Sequence, residues 1–205
     1  MNDRIATQVG HILIHRDQIQ QRIDMLARQI TRDRQSGPQS QNRELTLITI
    51  MTGSMIFVCD LIRRLPLQMR IYLLSLSSYQ GKTTRSSGQP QISSLSNLPE
   101  TLQGCDALLI DDILDSGNTL KLATSIIQEK NPNTLKSCVL LRKQRPENKD
   151  IHVDYVAFDI PDTFVVGYGL DYDGYYRNLP DIFTMTPQIT TEPAILQSCG
   201  GADTK

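Results

Sequence analysis

The chain is predicted to be an α/β protein with a mostly parallel central sheet, and three observations predict it. Short β-rich apolar runs recur at residues 45–51, 71–76, 108–110, 138–141 and 153–158. Helical apolar spacing occupies residues 55–65 and about 119–129, between successive runs. No internal repeat or abrupt composition shift divides the 205 residues, a length that suits a single buried core. Strands alternating with helices call for right-handed crossovers and a sheet covered on both faces.

The elements follow in chain order. Ile19, Ile23, Leu26 and Ile30 repeat at helical spacing, so an amphipathic helix begins near Asp17, which is the expected N-cap. Residues 31–42 are polar around Gly37-Pro38 and read as a loop. The run at 45–51 is apolar enough for a central strand. It breaks at Thr52-Gly53-Ser54, and the helix after it is stopped by Pro66. Residues 77–88 carry many Ser, Thr and Gly and almost nothing apolar. From Pro187 onward Thr, Gln, Gly and Ser dominate, so the domain is expected to span 1–186 and residues 187–205 to form a loose tail.

Composition excludes several function classes. With 21 basic and 22 acidic residues the net charge is −1, which draws in neither nucleic acid nor membrane. Cys59, Cys105, Cys138 and Cys199 form no Cys-x-x-Cys pair. The first three lie in or beside apolar runs, as packed, reduced thiols would. His11, His15 and His152 are too dispersed for a metal cluster. No apolar stretch reaches the roughly 20 residues of a membrane span, and the N-terminus lacks a signal-peptide core. A reducing cytoplasm is the expected compartment.

Residues 107–119, Ala-Leu-Leu-Ile-Asp-Asp-Ile-Leu-Asp-Ser-Gly-Asn-Thr, carry the chemistry. A buried strand runs into Asp111 and Asp112, followed by Asp115 and a small turn, Ser116-Gly117-Asn118-Thr119, ahead of a helix. Free N–H groups of such a turn hold phosphate, and the Ser116 and Thr119 hydroxyls add donors. Carboxylates repel a bare phosphate, so Asp111 and Asp112 suit ribose hydroxyls or a magnesium ion carried by the ligand. The combination asks for a sugar phosphate with vicinal hydroxyls. An ordinary capped connection would need no such crowding of acids and hydroxyls.

This segment closely resembles the phosphoribosyl-diphosphate (PRPP) motif of the type I phosphoribosyltransferases. The stretches Lys143-Gln144-Arg145-Pro146, Asp162-Thr163-Phe164-Val165-Val166-Gly167-Tyr168-Gly169-Leu170-Asp171 and Tyr176-Arg177-Asn178 resemble the base-binding region of the hypoxanthine-guanine phosphoribosyltransferases. The likeness covers roughly residues 17–182. It implies the type I fold, with a small hood and a flexible lid loop. Ser78-Tyr79 would open that lid, which excludes water from the reacting diphosphate. It also implies that Thr52-Gly53 offers backbone N–H groups to diphosphate, often through a non-proline cis peptide. Purine-specific members typically carry Lys-Gly there. Thr52 keeps the backbone contacts and gives up a lysine side-chain role.

Carried across, the resemblance implies a complete site. Lys143 would donate to the purine C6 oxygen, which leaves adenine's amine unmatched. Phe164 would stack on the base, and the Val165 backbone would meet its Watson–Crick edge. Asp111 and Asp112 would contact ribose hydroxyls, with Ser116, Gly117, Asn118 and Thr119 around the 5′-phosphate. Asp171 would sit near a diphosphate-bound Mg2+, with Asp111 and Asp112 as further metal-side carboxylates, and Arg177 would hold diphosphate. Asp115 would accept the N7 proton. The implied reaction makes IMP or GMP from PRPP and hypoxanthine or guanine, in a homodimer or homotetramer. A second reading is a regulatory PRPP-sensing protein of the same fold that binds nucleic acid. It needs a basic surface, and the near-zero charge and the base-site residues weigh against it. A relative preferring xanthine or a pyrimidine is a third reading that stays open, the choice between a C2 carbonyl and a C2 amine depending on backbone carbonyl directions near Asp171.

Overall fold

Apolar runs separated by amphipathic helices fold here into a six-stranded sheet with a second, three-stranded sheet beside it. The structure, a computed structural model, describes residues 9–36, 43–77, 91–92 and 96–185. The elements are β1 (Val9–Ile14), α1 (Arg16–Gln35), β2 (Glu44–Met51), α2 (Met55–Ile62), β3 (Met69–Ser77) and β4 (Gln91–Ile92). Then come β5 (Cys105–Leu114), α3 (Asn118–Gln128), β6 (Thr134–Lys143), a 3₁₀ turn (Pro146–Asn148), β7 (Tyr155–Ile160), β8 (Val165–Val166) and β9 (Ile182–Met185).

The main sheet has the order β4-β3-β2-β5-β6-β7, and all pairs but β3–β4 are parallel. Strand alternation divides the apolar residues between two cores. Leu47, Leu108 and Leu140 face Ile19, Ile23, Leu26 and Phe57 of α1 and α2. Ile48, Leu109 and Val139 face Leu120, Ala123 and Ile127 of α3. Burial on both faces, worth about 1.5–3 kcal/mol per large side chain, explains why these strands read as continuous apolar runs. The hood is the second sheet, in which β9 pairs antiparallel with both β1 and β8.

Several boundaries differ from expectation for local reasons. The N-cap of α1 is His15, not Asp17. Its ring Nδ1 accepts the Asp17 N–H at 3.4 Å, and Gln18 Oε1 accepts the His15 N–H at 2.9 Å. That helix continues through Gln35, beyond the residue-31 limit of the loop reading. Thr31 Oγ1 bonds back to the Ala27 carbonyl, and Arg34 reaches Asp106. In α2 the α-helical bonding stops at Ile62, and the N–H groups of Arg64 and Leu65 bond three residues back. The strand of the acidic motif was expected to end before its acids. It runs on to Leu114 because β6 runs alongside, pairing Asp111 with Val139 and Leu114 with Arg142. Cys59 is exposed rather than packed, whereas Cys138 is buried. No described helix is long and apolar enough to cross a membrane.

Candidate active site

The carboxyl ends of β2 and β5, neighbours in the sheet, build the floor of the site. At the end of β2 the Met51–Thr52 peptide is cis. Buried Ser54 fastens the turn, sharing a 2.7 Å hydrogen bond with Thr49 Oγ1 and donating to the Ile50 carbonyl. Gly53 is required by its neighbour, since a Cβ there would fall on the Asp112 carboxylate. At the end of β5 the Asp111 carboxylate accepts the Asp112 N–H at 3.0 Å, and that of Asp112 accepts the Ile113 N–H at 2.9 Å. Gly117, at φ +80°, turns the chain into α3, and a Cβ there would run into Ile151. The turn leaves Ser116, Asn118 and Thr119 exposed at a helix start whose first N–H groups lack intrahelical acceptors.

Thr52, Gly53, Asp111, Asp112, Asp115, Ser116, Gly117 and Thr119 line one cleft of about 480 Å3, together with Asp171 and Arg177. Arg177 pairs with Asp171 at 2.8 Å and donates to the Gly169 carbonyl at 2.7 Å. The second oxygen of Asp171 accepts the Gly174 N–H at 2.8 Å. Gly169, at φ +102°, lies so close to the Gly53 carbonyl that a Cβ there would overlap it. The Thr52-Gly53 turn and the Arg177 segment are thereby packed together. Burial pushes the Asp111 carboxyl well above the usual range, and the adjacent Asp112 adds to the shift. Asp112 is also raised by burial, against its hydrogen bonds and the attraction of Arg177.

Asp115 lies at the other end of this wall and meets Lys143 and Arg145. Lys143, only 7% exposed at the end of β6, donates to its Oδ2 at 2.8 Å, and Arg145 donates to its Oδ1. Burial would raise the Asp115 carboxyl, but these two cations outweigh it and hold it below the usual range. Asp162 stands behind them, 3.2 Å from Arg145 Nε and 3.7 Å from Lys143 Nζ. Buried Asn148 locks the two strand ends together, donating at 2.9 Å to the carbonyls of both Asp115 and Lys143. Phe164 and Val165 belong to the hood side and do not line the cleft. Val165 is buried in β8, while Phe164 is 45% exposed and meets Tyr172 edge-on with ring centroids 5.7 Å apart. Ser78 and Tyr79, the lid and the 187–205 tail fall outside the described residues.

Among the described residues no three His, Cys, Asp or Glu side chains converge as a metal cage. The donors facing the cleft are carboxylates, a set that suits a hard cation sharing its shell with ligand phosphates rather than one held by protein alone. Sequence reasoning missed Arg145, Asp162 and Asn148. It also missed the bond from Tyr168 Oη to Asp60, which joins the Gly169 segment to α2. Asp60 did leave a signal, as the one acid within the apolar run of α2. Arg145 and Asp162 sit in loops and Asn148 in the short 3₁₀ turn, where no periodicity marks them.

The phosphoribosyl transferase domain family matches residues 14–173. The chain is 42% identical over 183 residues to a hypoxanthine-guanine phosphoribosyltransferase of Mycobacterium avium, covering 88% of each. It is 39% identical over 178 residues to that of a Staphylococcus aureus strain, covering 87% of this chain and 94% of the relative. A crystal structure of a Staphylococcus aureus hypoxanthine phosphoribosyltransferase superposes with a TM-score of 0.79 at 36% identity. It covers 94% of this chain and 100% of that one. An acidic strand end with a hydroxyl-rich turn into a helix, beside a lysine–carboxylate pair, thus occurs in a chain that belongs to the hypoxanthine-guanine phosphoribosyltransferases of the phosphoribosyl transferase domain family.

Proposed function

We propose that this enzyme salvages purines, transferring the 5-phosphoribosyl group of PRPP to N9 of hypoxanthine or guanine and releasing diphosphate. The observation that carries the reading is the continuity of β5. Its carboxyl end and the turn that follows carry the residues for the sugar phosphate, and Asp115, directly after Leu114, touches the Lys143 ammonium at 2.8 Å. In this reading the N9 lone pair forms the bond to ribose C1 while the C1–oxygen pair leaves with diphosphate. The N7 proton passes to Asp115, which its cationic neighbours keep ionised and ready to accept.

The other residues bind and orient. Asp111 and Asp112 take the ribose hydroxyls, and the turn from Ser116 to Thr119 takes the 5′-phosphate. The Thr52-Gly53 backbone and Arg177 take the diphosphate. Lys143 turns from Asp115 toward the C6 oxygen. Adenine, with an amine at C6, would leave that buried ammonium without an acceptor. Phe164 covers the base face, and the Val165 backbone meets its edge. Asp171 and the Asp111–Asp112 pair, together with PRPP itself, would hold a magnesium ion, which when bound would supply positive charge to the departing oxygens. Assembly as a homodimer or homotetramer is part of the proposal, supported by apolar Met55, Ile71 and Leu73 exposed on α2 and β3. The proposed compartment is the cytoplasm, supported by the buried free thiol of Cys138.

The test is diphosphate release from PRPP and Mg2+ with hypoxanthine, guanine, xanthine, adenine and uracil in parallel. Turnover on hypoxanthine or guanine, with adenine and uracil silent, is the expected result. PRPP binding with silence on every base would overturn the reading.

A further inference from the structure

We propose that Arg145 is a positioning residue of the purine subsite, holding Oδ1 of the Asp115 carboxylate so that Oδ2 stays aimed at the purine N7 proton. The inference rests on the functional reading above, in which Lys143 and Asp115 serve the base.

The geometry begins with a conflict over Lys143. In the structure its ammonium holds Asp115 Oδ2 at 2.8 Å. Yet the same ammonium must turn to the base oxygen when purine enters. Asp115 would then lose its partner at the moment it has to accept a proton. A carboxylate held through one bond swings freely about Cβ–Cγ, and a small misplacement of a reacting group is costly.

Arg145 removes the conflict. Its Nη1 donates to the other Asp115 oxygen, so it does not compete with Lys143 for Oδ2. Its Nε lies 3.2 Å from Asp162 Oδ2, which ties down the back of the guanidinium, with Glu147 at 3.8 Å as a weaker neighbour. The backbone that carries it is also fixed. The Arg145 N–H donates to the Lys143 carbonyl at 3.0 Å, and buried Asn148, in the turn that follows, bonds to both strand ends. A planar fork anchored on two carboxylates holds direction as well as charge, which an ammonium cannot do.

The charges around Asp115 agree. Lys143 and Arg145 face its carboxylate directly, Asp162 and Glu147 face Arg145 from behind, and Asp111 and Asp112 precede it on β5. Guanidinium stays charged at any working pH. When Lys143 turns away, Arg145 alone continues to favour the ionised form.

The experiment compares wild type with R145Q and R145K. Steady-state constants for hypoxanthine and PRPP are measured across pH, beside a 13C NMR titration of the Asp115 carboxyl. R145Q is expected to lower kcat by about 10- to 100-fold, the scale of a misplaced reacting group, with the KM for PRPP nearly unchanged. Its Asp115 titration and the acid limb of kcat/KM for hypoxanthine should both move to higher pH, and R145K should restore part of each. An unchanged Asp115 titration or kcat in folded R145Q would overturn the inference. So would an equal loss of PRPP affinity, because a general structural role predicts that. A wild type silent on all purines would instead remove the functional reading, and the carboxyl titration would still decide whether Arg145 holds Asp115.

Discussion

Asp111 and Asp115 stand on the same strand end and its turn, yet their surroundings oppose each other. Asp111 is buried beside a second acid, and its carboxyl is pushed up. Asp115, only partly buried, is paired with Lys143 and Arg145, and its carboxyl is held down despite the desolvation it does suffer. Asp111 thus lacks the counter-charge that a ligand with hydroxyls and a cation would bring. Asp115 carries its own in Lys143 and Arg145, which favour its ionised form. Identical side chains acquire different tasks from what surrounds them.

The largest expected effect lies at the base end. Asp115→Asn keeps the shape and removes the proton acceptor. Turnover should fall by about 10²- to 10⁴-fold, the usual worth of general acid–base catalysis, with PRPP binding nearly intact. Near-normal turnover would take Asp115 out of the mechanism. Lys143→Ala should come next. A lost charged hydrogen bond is worth about 1.5–3 kcal/mol, so kcat/KM for hypoxanthine should drop by roughly 10- to 100-fold while the KM for PRPP holds. If PRPP binding fails instead, the base end has been misplaced.

At the phosphate end the effects should be smaller and should sort by ligand. Gly53→Ala puts a Cβ on the Asp112 carboxylate, which must shift. The expected outcome is weaker PRPP binding, by about tenfold, an order of size set by small misplacements in a site. An unchanged KM for PRPP would separate the Thr52-Gly53 turn from the diphosphate.

Asp111→Asn gives the smallest effect and the opposite sign in stability. The folded-state pKa of Asp111 is raised, so ionisation costs stability as pH climbs above the unfolded-state value. The substitution should therefore raise Tm at neutral pH by about 2–4 °C, equivalent to roughly 1 kcal/mol in a chain of this size, and lose that gain at acid pH. PRPP binding should weaken in the same variant. For Asp115 the sign reverses. Its depressed pKa gives stability that is full above the usual carboxylate range and lost as pH falls through the folded value, so Asp115→Asn should lower Tm at pH 7, with the deficit shrinking as the pH is taken below that range. Parallel melting curves of the two variants across pH check both signs.

The legible parts of the site were those written locally. Asp111, Asp112, Asp115 and the turn through Thr119 fall within one strand–turn–helix connection, and the structure keeps them there. Lys143 and the Asp171–Arg177 segment were placed only through family resemblance, because nothing in their spacing points at that connection. Arg145 carries no role in the sequence reading, because nothing in its spacing points at Asp115. The length of β5 was misjudged for a related reason. Acids argue against a buried strand until a neighbouring strand supplies their backbone partners.

The sequence by itself determined the α/β class, the two-faced burial of the central strands and the chemistry of the acidic turn. Each follows from residues a few positions apart, through side-chain period and turn geometry. Only the tertiary structure decided that Asp115 meets Lys143 and Arg145, 28 and 30 residues away, and that Gly53 and Asp112 share one space. The order β2-β5-β6 brings three distant strand ends together. Because the field at a carboxylate depends on which charges lie within a few ångströms, that order also sets Asp111 up and Asp115 down.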